Sequence, residues 1–437
     1  MPAYLRCSNL LCAAKMDRDF AGYACPGCGD LLEVAVERPQ TGPDELKSKW
    51  AHRRSSRNPL DRSGVWRFRD FLPDYPNHLV VSLGEGNTPL IAAHKSLSYA
   101  GAAELQLKHL GWNPTGCFKD LGMTVAITEA KFRGKAVVAC ASTGNTAASM
   151  AAYAARAGLK ARVYLPKGRV SRSKLAQSLD YGAEIIEVDG NFDDALHQLT
   201  SKTDSDVYLL NSINPFRIEG QKTAVFELME ELDWIPPDYL VLPGGNLGNT
   251  AAFGKALEEM LAAGLITKLP KLVVVQARGS NPFVRTWRAG GNKLEMVGNP
   301  QTLATAICIG APRSWKKALR VVALTGGTVL DVSDEEIAEA KVVIGRDGIG
   351  CEPASATTLA GIRQLLRRKL VPANARMVAF LTGHVLKDTD AILGNRNGKA
   401  RRYEYIECAC CGWDLIGPTG RCNRCGQLVS NRVETGA

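Results

Sequence analysis

The sequence predicts an α/β protein built on parallel sheets that are covered by helices. Three observations carry this prediction: short apolar runs, amphipathic stretches between them, and turn residues where the runs end. The chain has 437 residues, of which 45% are hydrophobic, so it is long enough for about two or three domains around a large core.

The strand-like runs are short and mostly apolar, as expected for buried parallel strands. They cover residues 104–109, 136–141, 161–165, 184–188, 207–210, 239–242, 272–276 and 377–381. The helix-like stretches include residues 146–157, 173–181, 220–232 and 250–263. Ligands of such folds bind at the carboxyl ends of the strands, so the loops that leave these runs are the expected place for the chemistry.

Composition and charge exclude several classes of protein. The balance of residue types is not that of a disordered, collagen-like or coiled-coil chain. The sequence lacks an apolar run of about 18 residues and a signal-peptide pattern, so we expect a cytoplasmic protein without a membrane span. The net charge of +10 favours anionic partners slightly, and nucleic acid is not an expected partner on this ground alone.

Two groups of four cysteines lie at the two ends of the chain. The first group has the spacing C-x4-C-x12-C-x2-C and the second C-x2-C-x10-C-x2-C. Four thiolates are the ligand set of a closed tetrahedral zinc site, which stabilises a fold and has no open position for catalysis. The predicted zinc ligands are Cys7, Cys12, Cys25, Cys28, Cys408, Cys411, Cys422 and Cys425, with Cys410 as an alternative to Cys411.

These features divide the sequence into four parts. Residues 1–40 are predicted to form a zinc-ribbon-like module, and residues 41–64 a polar connector. Residues 65–393 form the body of the protein. Residues 394–437 hold a basic linker and a second zinc-ribbon-like module.

A lysine follows the first strand-like run of the body. Residues 111–120 are Gly-Trp-Asn-Pro-Thr-Gly-Cys-Phe-Lys-Asp, which places Lys119 at the start of an amphipathic stretch. The positive end of a helix dipole and partial removal from water both lower the pKa of a lysine, and the neutral amine is a nucleophile. Taken alone, a lysine at a helix start is more often a surface residue, so the neighbouring loops must decide.

Two further loops between a strand and a helix carry glycines and small polar residues. Residues 141–146, Ala-Ser-Thr-Gly-Asn-Thr, open an Ala-rich helix, where such side chains cap free N–H groups or bind an anion. Residues 243–250, Pro-Gly-Gly-Asn-Leu-Gly-Asn-Thr, let successive backbone amides converge on a phosphate. One glycine loop is a weak signal, whereas several strand-end loops of this kind favour a phosphate-bearing ligand.

The remaining loops supply a hydroxyl and a guanidinium. Thr382 follows the last strand-like run, and residues 211–217 are Asn-Ser-Ile-Asn-Pro-Phe-Arg. Arg217 can hold a phosphate or a carboxylate through two hydrogen bonds. A surface ion pair is the alternative explanation for this arginine when it is considered alone.

Together these motifs resemble the threonine synthase family, whose pyridoxal-phosphate fold is shared with the β-subunit of tryptophan synthase. The similar stretches are residues 113–122, 141–158, 211–227, 243–249, 301–315, 351–355 and 382–388. The resemblance implies a two-subdomain parallel-sheet fold, with a smaller subdomain at roughly residues 115–220. It also implies a lyase that converts O-phospho-L-homoserine and water to L-threonine and phosphate, the last step of threonine biosynthesis.

The resemblance implies a role for each matching residue. Lys119 bonds covalently to pyridoxal 5′-phosphate and is the base for the substrate. Asn145 hydrogen-bonds the 3′-oxygen of the cofactor, and Thr382 meets its pyridine nitrogen. The residues implied to hold the cofactor phosphate are Gly245, Asn246, Leu247, Gly248 and Asn249. The residues implied to hold the substrate phosphate are Ser142, Thr143, Asn211, Ser212, Arg217 and Asn246.

Three positions depart from the pattern of the family, and two other functions stay open. Leu121 stands where relatives often have arginine, Cys117 where serine is common, and Val385 where glycine is frequent. A related enzyme could use O-phosphoserine in a β-replacement, as a cysteate or cysteine synthase does, because both substrates carry phosphate. The other open function is a protein that binds nucleic acid or protein and whose enzyme fold has lost its activity. This function is disfavoured because Lys119 and the phosphate loops are retained. For assembly, the expectation is a homodimer.

Overall fold

A computed structural model describes residues 3–37, 39–142, 144–167, 172–189, 199 and 206–389 of the chain. The elements named below belong to one compact unit, Met1–Asp388. The strands are β1 (Ala3–Cys7), β2 (Lys15–Met16), β3 (Leu32–Val36), β4 (Leu90–Ala92), β5 (Glu104–His109), β6 (Val137–Ala141), β7 (Lys160–Pro166), β8 (Glu184–Val188), β9 (Val207–Leu209), β10 (Tyr239–Pro243), β11 (Lys271–Ala277), β12 (Thr328–Val332) and β13 (Arg376–Leu381).

Helices connect most of these strands. They are α1 (Pro43–Ser55), α2 (Pro59–Arg62), α3 (Lys95–Ala100), α4 (Lys119–Phe132), α5 (Asn145–Ala157), α6 (Arg172–Asp180), α7 (Pro215–Glu231), α8 (Gly248–Ala262), α9 (Pro282–Arg288), α10 (Trp315–Leu324), α11 (Asp334–Arg346) and α12 (Pro353–Arg367). Short 3-10 helices cover Trp66–Phe71, Asn77–Leu79, Leu110–Trp112, Thr305–Ile307 and Val385–Lys387. Within the described residues, none of the helices combines the length and the apolar character that a membrane crossing requires.

The larger sheet has the strand order β12-β11-β10-β13-β5-β4. Its strands pair in parallel, except that β4 runs antiparallel to β5. Every residue of β10 is buried, as expected for a central strand of a parallel sheet. This order sets β10, β13 and β5 side by side, so the loops at their carboxyl ends meet at one edge of the sheet.

The smaller sheet has the strand order β8-β7-β6-β9, and all its pairs are parallel. The chain enters this sheet after β5 and returns to the larger sheet at β10. The α/β fold with two parallel sheets that the sequence predicted is therefore confirmed. The residue boundaries given for the domains stay predictions.

Helices α4 and α7 cross with their backbones in close contact. A Cβ atom added at Gly220 would lie 1.8 Å from the carbonyl oxygen of Leu121, and one added at Gly122 would lie 2.9 Å from that of Arg217. Glycine is required for such an approach because it has no side chain to clash. Lys119 begins α4 and Arg217 lies in the first turn of α7, so this crossing fixes the spacing of the two side chains.

The N-terminal module is an antiparallel sheet with the order β2-β1-β3 that packs on the body. Lys317 of α10 donates a hydrogen bond to the carbonyl of Leu32 in β3, at 2.8 Å. The guanidinium of Arg18 forms an ion pair with the buried Glu129 of α4, at 2.6 Å. The module therefore contacts the body on both α10 and α4.

The segment predicted to be a polar connector, residues 41–64, contains helices α1 and α2. Trp50 of α1 is fully buried, and its ring lies 5.2 Å from the ring of Phe68 and 6.0 Å from that of Phe226. The buried face of α1 consists of Leu46, Trp50 and Arg53. Because only two of these residues are apolar, the sequence gives a weak helical pattern here, and the composition suggests a connector instead.

The predicted strands agree with the structure to within one residue at each end. Helix α7 begins earlier than predicted, at Pro215, because the Asn214 side chain caps it by accepting a hydrogen bond from the N–H of Phe216 at 2.9 Å. The individual strands of the N-terminal module were not predicted, and in the larger sheet β4 and β12 were not predicted. Strand β4 is only three residues long, and β12 carries a buried aspartate, Asp331, that breaks the apolar run.

Candidate active site

The carboxyl ends of three neighbouring strands lead into loops that carry predicted site residues. Strand β5 precedes the loop to Lys119, β13 precedes Thr382, and β10 precedes the glycine loop at 244–247. In the smaller sheet, β6 precedes Ser142 and also Asn145, the first residue of α5. The strand order thus explains why residues far apart in the sequence share one region.

Backbone hydrogen bonds join the loop before Lys119 to the loop that carries Thr382. The N–H of Phe118 donates to the carbonyl of Thr382 at 3.0 Å, and the N–H of His384 donates to that of Gly116 at 2.8 Å. Lys119 is the first residue of α4, and its Nζ lies 4.0 Å from the centre of the Phe118 ring. The lysine therefore starts its helix directly beside the end of β13.

The amine of Lys119 is easier to deprotonate than an ordinary lysine. Removal from water lowers the pKa of Lys119 to about 8, against a partly opposing effect of Cys117. The charge of Arg217 lowers this pKa further, and that of Glu352 raises it. A sizeable share of the amine is therefore uncharged near pH 8, as a nucleophile or base must be.

A buried carboxylate, Asp120, locks the loop that carries the lysine. It accepts hydrogen bonds from the N–H of Thr115 at 2.7 Å, from the Thr115 hydroxyl at 2.6 Å and from the Ser149 hydroxyl at 2.5 Å. Burial raises the pKa of Asp120 to about 6, although these bonds act in the opposite direction. Because Ser149 belongs to α5, the same carboxylate ties the lysine loop to the helix that begins with Asn145.

A second buried carboxylate, Glu352, lies between two predicted cofactor contacts. The Nδ2 of Asn145 donates to its Oε2 at 2.9 Å, and the Oγ1 of Thr382 lies 3.4 Å from its Oε1. Burial raises the pKa of Glu352, while the bond from Asn145 and the charge of Lys119 lower it. Ser355 completes the group, because its hydroxyl accepts the N–H of Thr382 at 2.8 Å.

Sequence reasoning missed Glu352, Ser355 and Asp120 as members of this site. Both Glu352 and Ser355 fall in the 351–355 stretch that carries the family resemblance, but no role was attached to them. A glutamate directly before Pro353 can be explained without any catalytic role, as the residue that precedes a helix. Glu352 does stand at that position of α12. The motif therefore contained Glu352 and Ser355, but the sequence did not show what these side chains contact.

The glycine loop turns sharply into helix α8. Leu247 adopts a left-handed conformation, with φ of 64°, directly before Gly248, the first residue of the helix. A Cβ atom added at Gly245 would lie 3.2 Å from the Cγ2 of Ile307. The first N–H groups of a helix have no helical partner and carry the positive end of its dipole, so this turn favours an anion.

Several buried polar atoms near this turn lack a hydrogen-bond partner among the described residues. They are the Oδ1 of Asn249, the Oγ1 of Thr250 and the Oε1 of Gln221. A buried polar atom without a partner costs about 1–3 kcal/mol, so a polar ligand or a bound water at this turn would stabilise these groups. Asn246 has a partner through its backbone, because its main-chain carbonyl accepts a hydrogen bond from the N–H of Ser314 at 3.2 Å.

Arg217 is a buried cation close to Lys119. Its Nη1 donates to the carbonyl of Leu210 at 3.1 Å, and its Nε lacks a partner among the residues the structure describes. Burial lowers the pKa of Arg217 to about 10. A buried guanidinium with a spare N–H near a reactive lysine is suited to hold an anionic part of a substrate.

The other residues predicted to hold the substrate phosphate lie on the neighbouring loops. The side chain of Asn211 exchanges two hydrogen bonds with the backbone of Ala141, at 3.2 and 3.1 Å, and so joins the loops after β9 and β6. The hydroxyl of Ser142 accepts the N–H of Gly144 at 3.3 Å. Ser212 is half-buried in the same loop as Asn211. Thr143 lies outside the described residues.

The four cysteines of the first predicted zinc site converge in the N-terminal module. The Sγ atoms of Cys7 and Cys28 are 3.4 Å apart, those of Cys12 and Cys25 are 3.7 Å apart, and all four lie within 4.8 Å of one another. Tetrahedral zinc holds sulfur atoms about 3.8 Å apart, so this group fits the ion. The second predicted set, Cys408, Cys411, Cys422 and Cys425 with the alternative Cys410, lies outside the described residues.

The three positions that depart from the family pattern are packed into the structure. Leu121 is buried at the crossing of α4 and α7. Cys117 is also buried, and burial raises its pKa to about 11. Val385 packs against Gly350, where an added Cβ atom would lie 2.6 Å from the valine side chain.

The fold and the lysine site together define a class of enzyme. The chain belongs to the family described as pyridoxal-phosphate dependent enzymes, whose sequence profile matches residues 81–383. Within that family it belongs with the threonine synthases. It is 44% identical to threonine synthase of Methanocaldococcus jannaschii over 384 residues, which are 87% of this chain and 93% of that protein. It is 46% identical to threonine synthase of Mycobacterium leprae over 330 residues, which are 75% of this chain and 89% of that protein.

Solved structures agree on the fold. Maize serine racemase superimposes with a TM-score of 0.60 at 21% identity, covering 68% of this chain and 88% of that one. An L-serine ammonia-lyase from Rhizomucor miehei gives a TM-score of 0.60 at 22% identity, covering 68% of this chain and 94% of that one. The resemblance predicted from the motifs is confirmed, and the phosphoserine alternative is not favoured.

The residues of the site fit pyridoxal phosphate. Lys119 offers a primary amine of lowered pKa, and the start of α8 offers N–H groups for a phosphate beside the unpartnered Asn249 and Thr250. Thr382 offers a neutral hydroxyl, which can face a pyridine nitrogen without requiring that it be protonated. An amine, an anion cradle and a neutral hydroxyl are the groups that this cofactor needs.

Proposed function

We propose that this protein converts O-phospho-L-homoserine and water to L-threonine and inorganic phosphate, the last step of threonine biosynthesis. The observation that carries the proposal is the proximity of two groups. One is Lys119, whose pKa is lowered to about 8, and the other is the buried Arg217, whose Nε has no partner among the described residues. One group suits proton transfer and the other suits the leaving phosphate. The close similarity to threonine synthases supports the same reaction.

In this proposal, pyridoxal phosphate is held covalently by Lys119 and through its phosphate by Gly245, Asn246, Leu247, Gly248 and Asn249. Asn145 hydrogen-bonds its 3′-oxygen, and Thr382 meets its pyridine nitrogen. When bound, the cofactor withdraws electrons from the α-carbon of the substrate and so makes its protons acidic.

With substrate bound, the free amine of Lys119 would be the group that moves protons. It accepts a proton from the α-carbon, gives that proton up, and as a neutral amine again accepts one from the β-carbon; its lowered pKa favours the neutral form that both steps need. The C–O bond at the γ-carbon breaks, and phosphate leaves with the bonding electrons. Water then adds its oxygen to the β-carbon, and protons return to the carbon chain to give threonine.

The leaving phosphate is held, in the same proposal, by Ser142, Thr143, Asn211, Ser212, Arg217 and Asn246. Arg217 makes the largest contribution, because a buried guanidinium has lost its water and gains most from an anion. Asn211 positions the loop through its two bonds to Ala141. Retention of the phosphate at this site while water adds would keep the site closed to bulk solvent.

Two further parts of the proposal concern metal and assembly. The cysteine group of the N-terminal module holds one zinc ion in a structural role, which its four converging sulfur atoms support. The C-terminal cysteines hold a second ion. The protein assembles as a homodimer in the cytoplasm, and its molecular mass in solution tests this assembly.

The decisive experiment measures phosphate release by the purified protein loaded with pyridoxal phosphate. O-phosphohomoserine and O-phosphoserine (the latter with sulfite or sulfide) are supplied separately, and the amino-acid products are identified by mass. We expect threonine and phosphate from O-phosphohomoserine alone, loss of both in Lys119→Ala, and full activity in Lys293→Ala, which removes an exposed lysine. Turnover of O-phosphoserine instead, or equal turnover by Lys119→Ala, would overturn the proposal.

A further inference from the structure

A cavity of about 930 Å³ opens on the surface where helices α1, α2, α4 and α5 end. Five cationic side chains line it: Arg54, Arg62, Arg67, Lys131 and Arg156. None of the described residues that line it is a carboxylate. Its volume is in the range of sites that bind small molecules.

This cavity is separate from the active site. Lys131 lies near the far end of α4 from Lys119, about 18 Å away along the helix axis. Arg156 lies in the same way near the far end of α5 from Asn145. The two helices thus begin at one site and end at the other, so a ligand in the cavity does not touch the catalytic groups.

The cationic residues of the cavity are poorly neutralised. Arg67 lies 2.9 Å from Glu230, and Arg54 lies 3.7 Å from the same carboxylate. The other three, Arg62, Lys131 and Arg156, form no ion pair with a residue that the structure describes. Among the described residues, Glu230 is therefore the one carboxylate within ion-pair distance of any of these five cations.

Helix ends explain part of this charge and leave one residue unexplained. Cations are favoured at helix C-termini, which accounts for Arg54, Arg62, Lys131 and Arg156, each in the last turn of its helix. Arg67 is different, since it belongs to a 3-10 helix and is only 1% exposed. Burial of a guanidinium is unfavourable unless its donors find acceptors.

The donors of Arg67 are not all used. One N–H group reaches the Oδ1 of Asn87 at 2.5 Å and another faces Glu230, but the Nε has no partner among the described residues. Asn87 is itself held in a left-handed conformation, with φ of 50°, by bonds to the Glu227 carboxylate and to the carbonyl of Arg62. Arg67 therefore lines the cavity, and its buried Nε–H donor has no acceptor among the described residues.

We propose that this cavity binds a small molecule that carries phosphate groups. Arginine side chains bind phosphate with paired hydrogen bonds, and four arginines from four separate helices line the cavity. The carbonyl groups of four helix ends repel an anion, so the affinity comes from the side chains. The dianionic charge of a phosphate group gains more from five cations than a single carboxylate does.

Calorimetry with pyrophosphate as the probe tests this proposal on the full-length protein loaded with pyridoxal phosphate. Arg62→Ala/Arg156→Ala removes two exposed cations of the cavity. Arg367→Ala/Arg368→Ala removes the same charge from the exposed end of α12 and is the matched control. Arg217→Ala reports binding at the active site. We expect wild type, the α12 variant and Arg217→Ala all to bind at the cavity, and the cavity variant to bind about tenfold more weakly or worse.

Four results would overturn the proposal. They are absence of pyrophosphate binding to wild type, unchanged affinity in the cavity variant, equal weakening by the cavity and α12 variants, and loss of all binding in Arg217→Ala. A fifth comparison tests the ligand class at constant ionic strength. Citrate carries comparable charge without phosphorus, and equal affinity for citrate and pyrophosphate would contradict a phosphate site.

Discussion

The side-chain nitrogen of Asn145 donates a hydrogen bond to the buried carboxylate of Glu352 across 2.9 Å. An ionised carboxylate only accepts hydrogen bonds, so it dictates that Asn145 turns its NH₂ group, rather than its oxygen, towards this end of the site. The second hydrogen of that NH₂ group stays available for the cofactor oxygen that we assign to Asn145. Glu352 therefore acts as a positioning residue.

We predict that Glu352→Gln weakens cofactor binding about tenfold and lowers kcat/KM by about tenfold to a hundredfold, because charged hydrogen bonds are worth about 1.5–3 kcal/mol. The amide has the same size as the carboxylate, but its NH₂ group cannot accept a hydrogen bond. It would therefore face either the Asn145 NH₂ group or the Thr382 hydroxyl, both of which donate to Glu352 in the wild type. Cofactor dissociation is measured by absorbance, apart from activity. Glu295→Gln, at an exposed position, is the control. Wild-type affinity in Glu352→Gln would contradict the assignment.

Gly383 leaves the space that Glu352 occupies. A Cβ atom at position 383 would lie 2.3–2.6 Å from the atoms of the Glu352 carboxylate group. We predict that Gly383→Ala displaces the carboxylate, destabilises the protein by about 1–3 kcal/mol and releases the cofactor more readily. Gly298→Ala is the matched control, because an added Cβ there meets no atom of the described residues within 4 Å. Equal denaturation midpoints for the two variants would refute the steric argument.

The sequence predicted the strands well and their arrangement less well. Central parallel strands are buried on both faces, so runs such as 239–242 and 272–276 are visible without any knowledge of their neighbours. The order that sets β10, β13 and β5 side by side depends on contacts between distant segments, which no local pattern encodes. The sequence alone therefore predicted the loops of the site, and the resemblance supplied their relation to one another.

The effects of burial on the site residues could not be predicted from the sequence. Lys119 and Arg217 belong to recognisable motifs, but their shifted pKa values come from removal from water, which the sequence does not show. Glu352 looks like an ordinary residue at the start of a helix until its contacts with Asn145 and Thr382 are seen. The cavity around Arg67 was equally invisible, because its cations come from separate helix ends.

The lowered pKa of Lys119 predicts how cofactor attachment depends on pH. Because burial favours the neutral amine, the rate of attachment rises with pH and levels off above a midpoint of about 8. An ordinary lysine would keep gaining reactivity up to a pKa of about 10.4. The rate is followed by stopped-flow absorbance after pyridoxal phosphate is mixed with cofactor-free protein.

The rate for a small amine such as N-acetyl-lysine amide, divided by the neutral fraction of that amine, gives the pH dependence of the cofactor itself, and the rate for the protein is divided by this profile. Lys119→Ala reports attachment to other lysines. A corrected rate that still rises tenfold per pH unit beyond about pH 9.5 would mean that the amine has an ordinary pKa.

Arg217 is predicted to set the affinity for the substrate phosphate. Arg217→Ala removes two or more charge-assisted hydrogen bonds, so kcat/KM for O-phosphohomoserine falls about a hundredfold or more. Arg217→Lys keeps the charge without the paired donors and recovers part of this loss. Arg162→Ala removes a partly exposed arginine of β7 that pairs with Glu184, and it is the control for charge. Unchanged inhibition by inorganic phosphate in Arg217→Ala would separate the residue from the phosphate site.

The last prediction concerns zinc in the N-terminal module. Cys7→Ser/Cys25→Ser removes two of four converging ligands, so the zinc content, expected to be two ions per chain, falls by one. The module also loses stability. Lys317 of the body donates to the carbonyl of Leu32 and lies 3.5 Å from Glu33, both in β3, so unfolding of the module leaves this buried amine without these partners.

We therefore expect the denaturation midpoint of the whole protein to fall, rather than that of a separate small transition. Cys308→Ser changes a half-buried cysteine outside both groups and is the matched control. Metal analysis and thermal denaturation are carried out on the same samples. Unchanged zinc content in the double variant would show that these four sulfur atoms do not bind the ion, and a fall in zinc with an unchanged midpoint would show that the module does not stabilise the body.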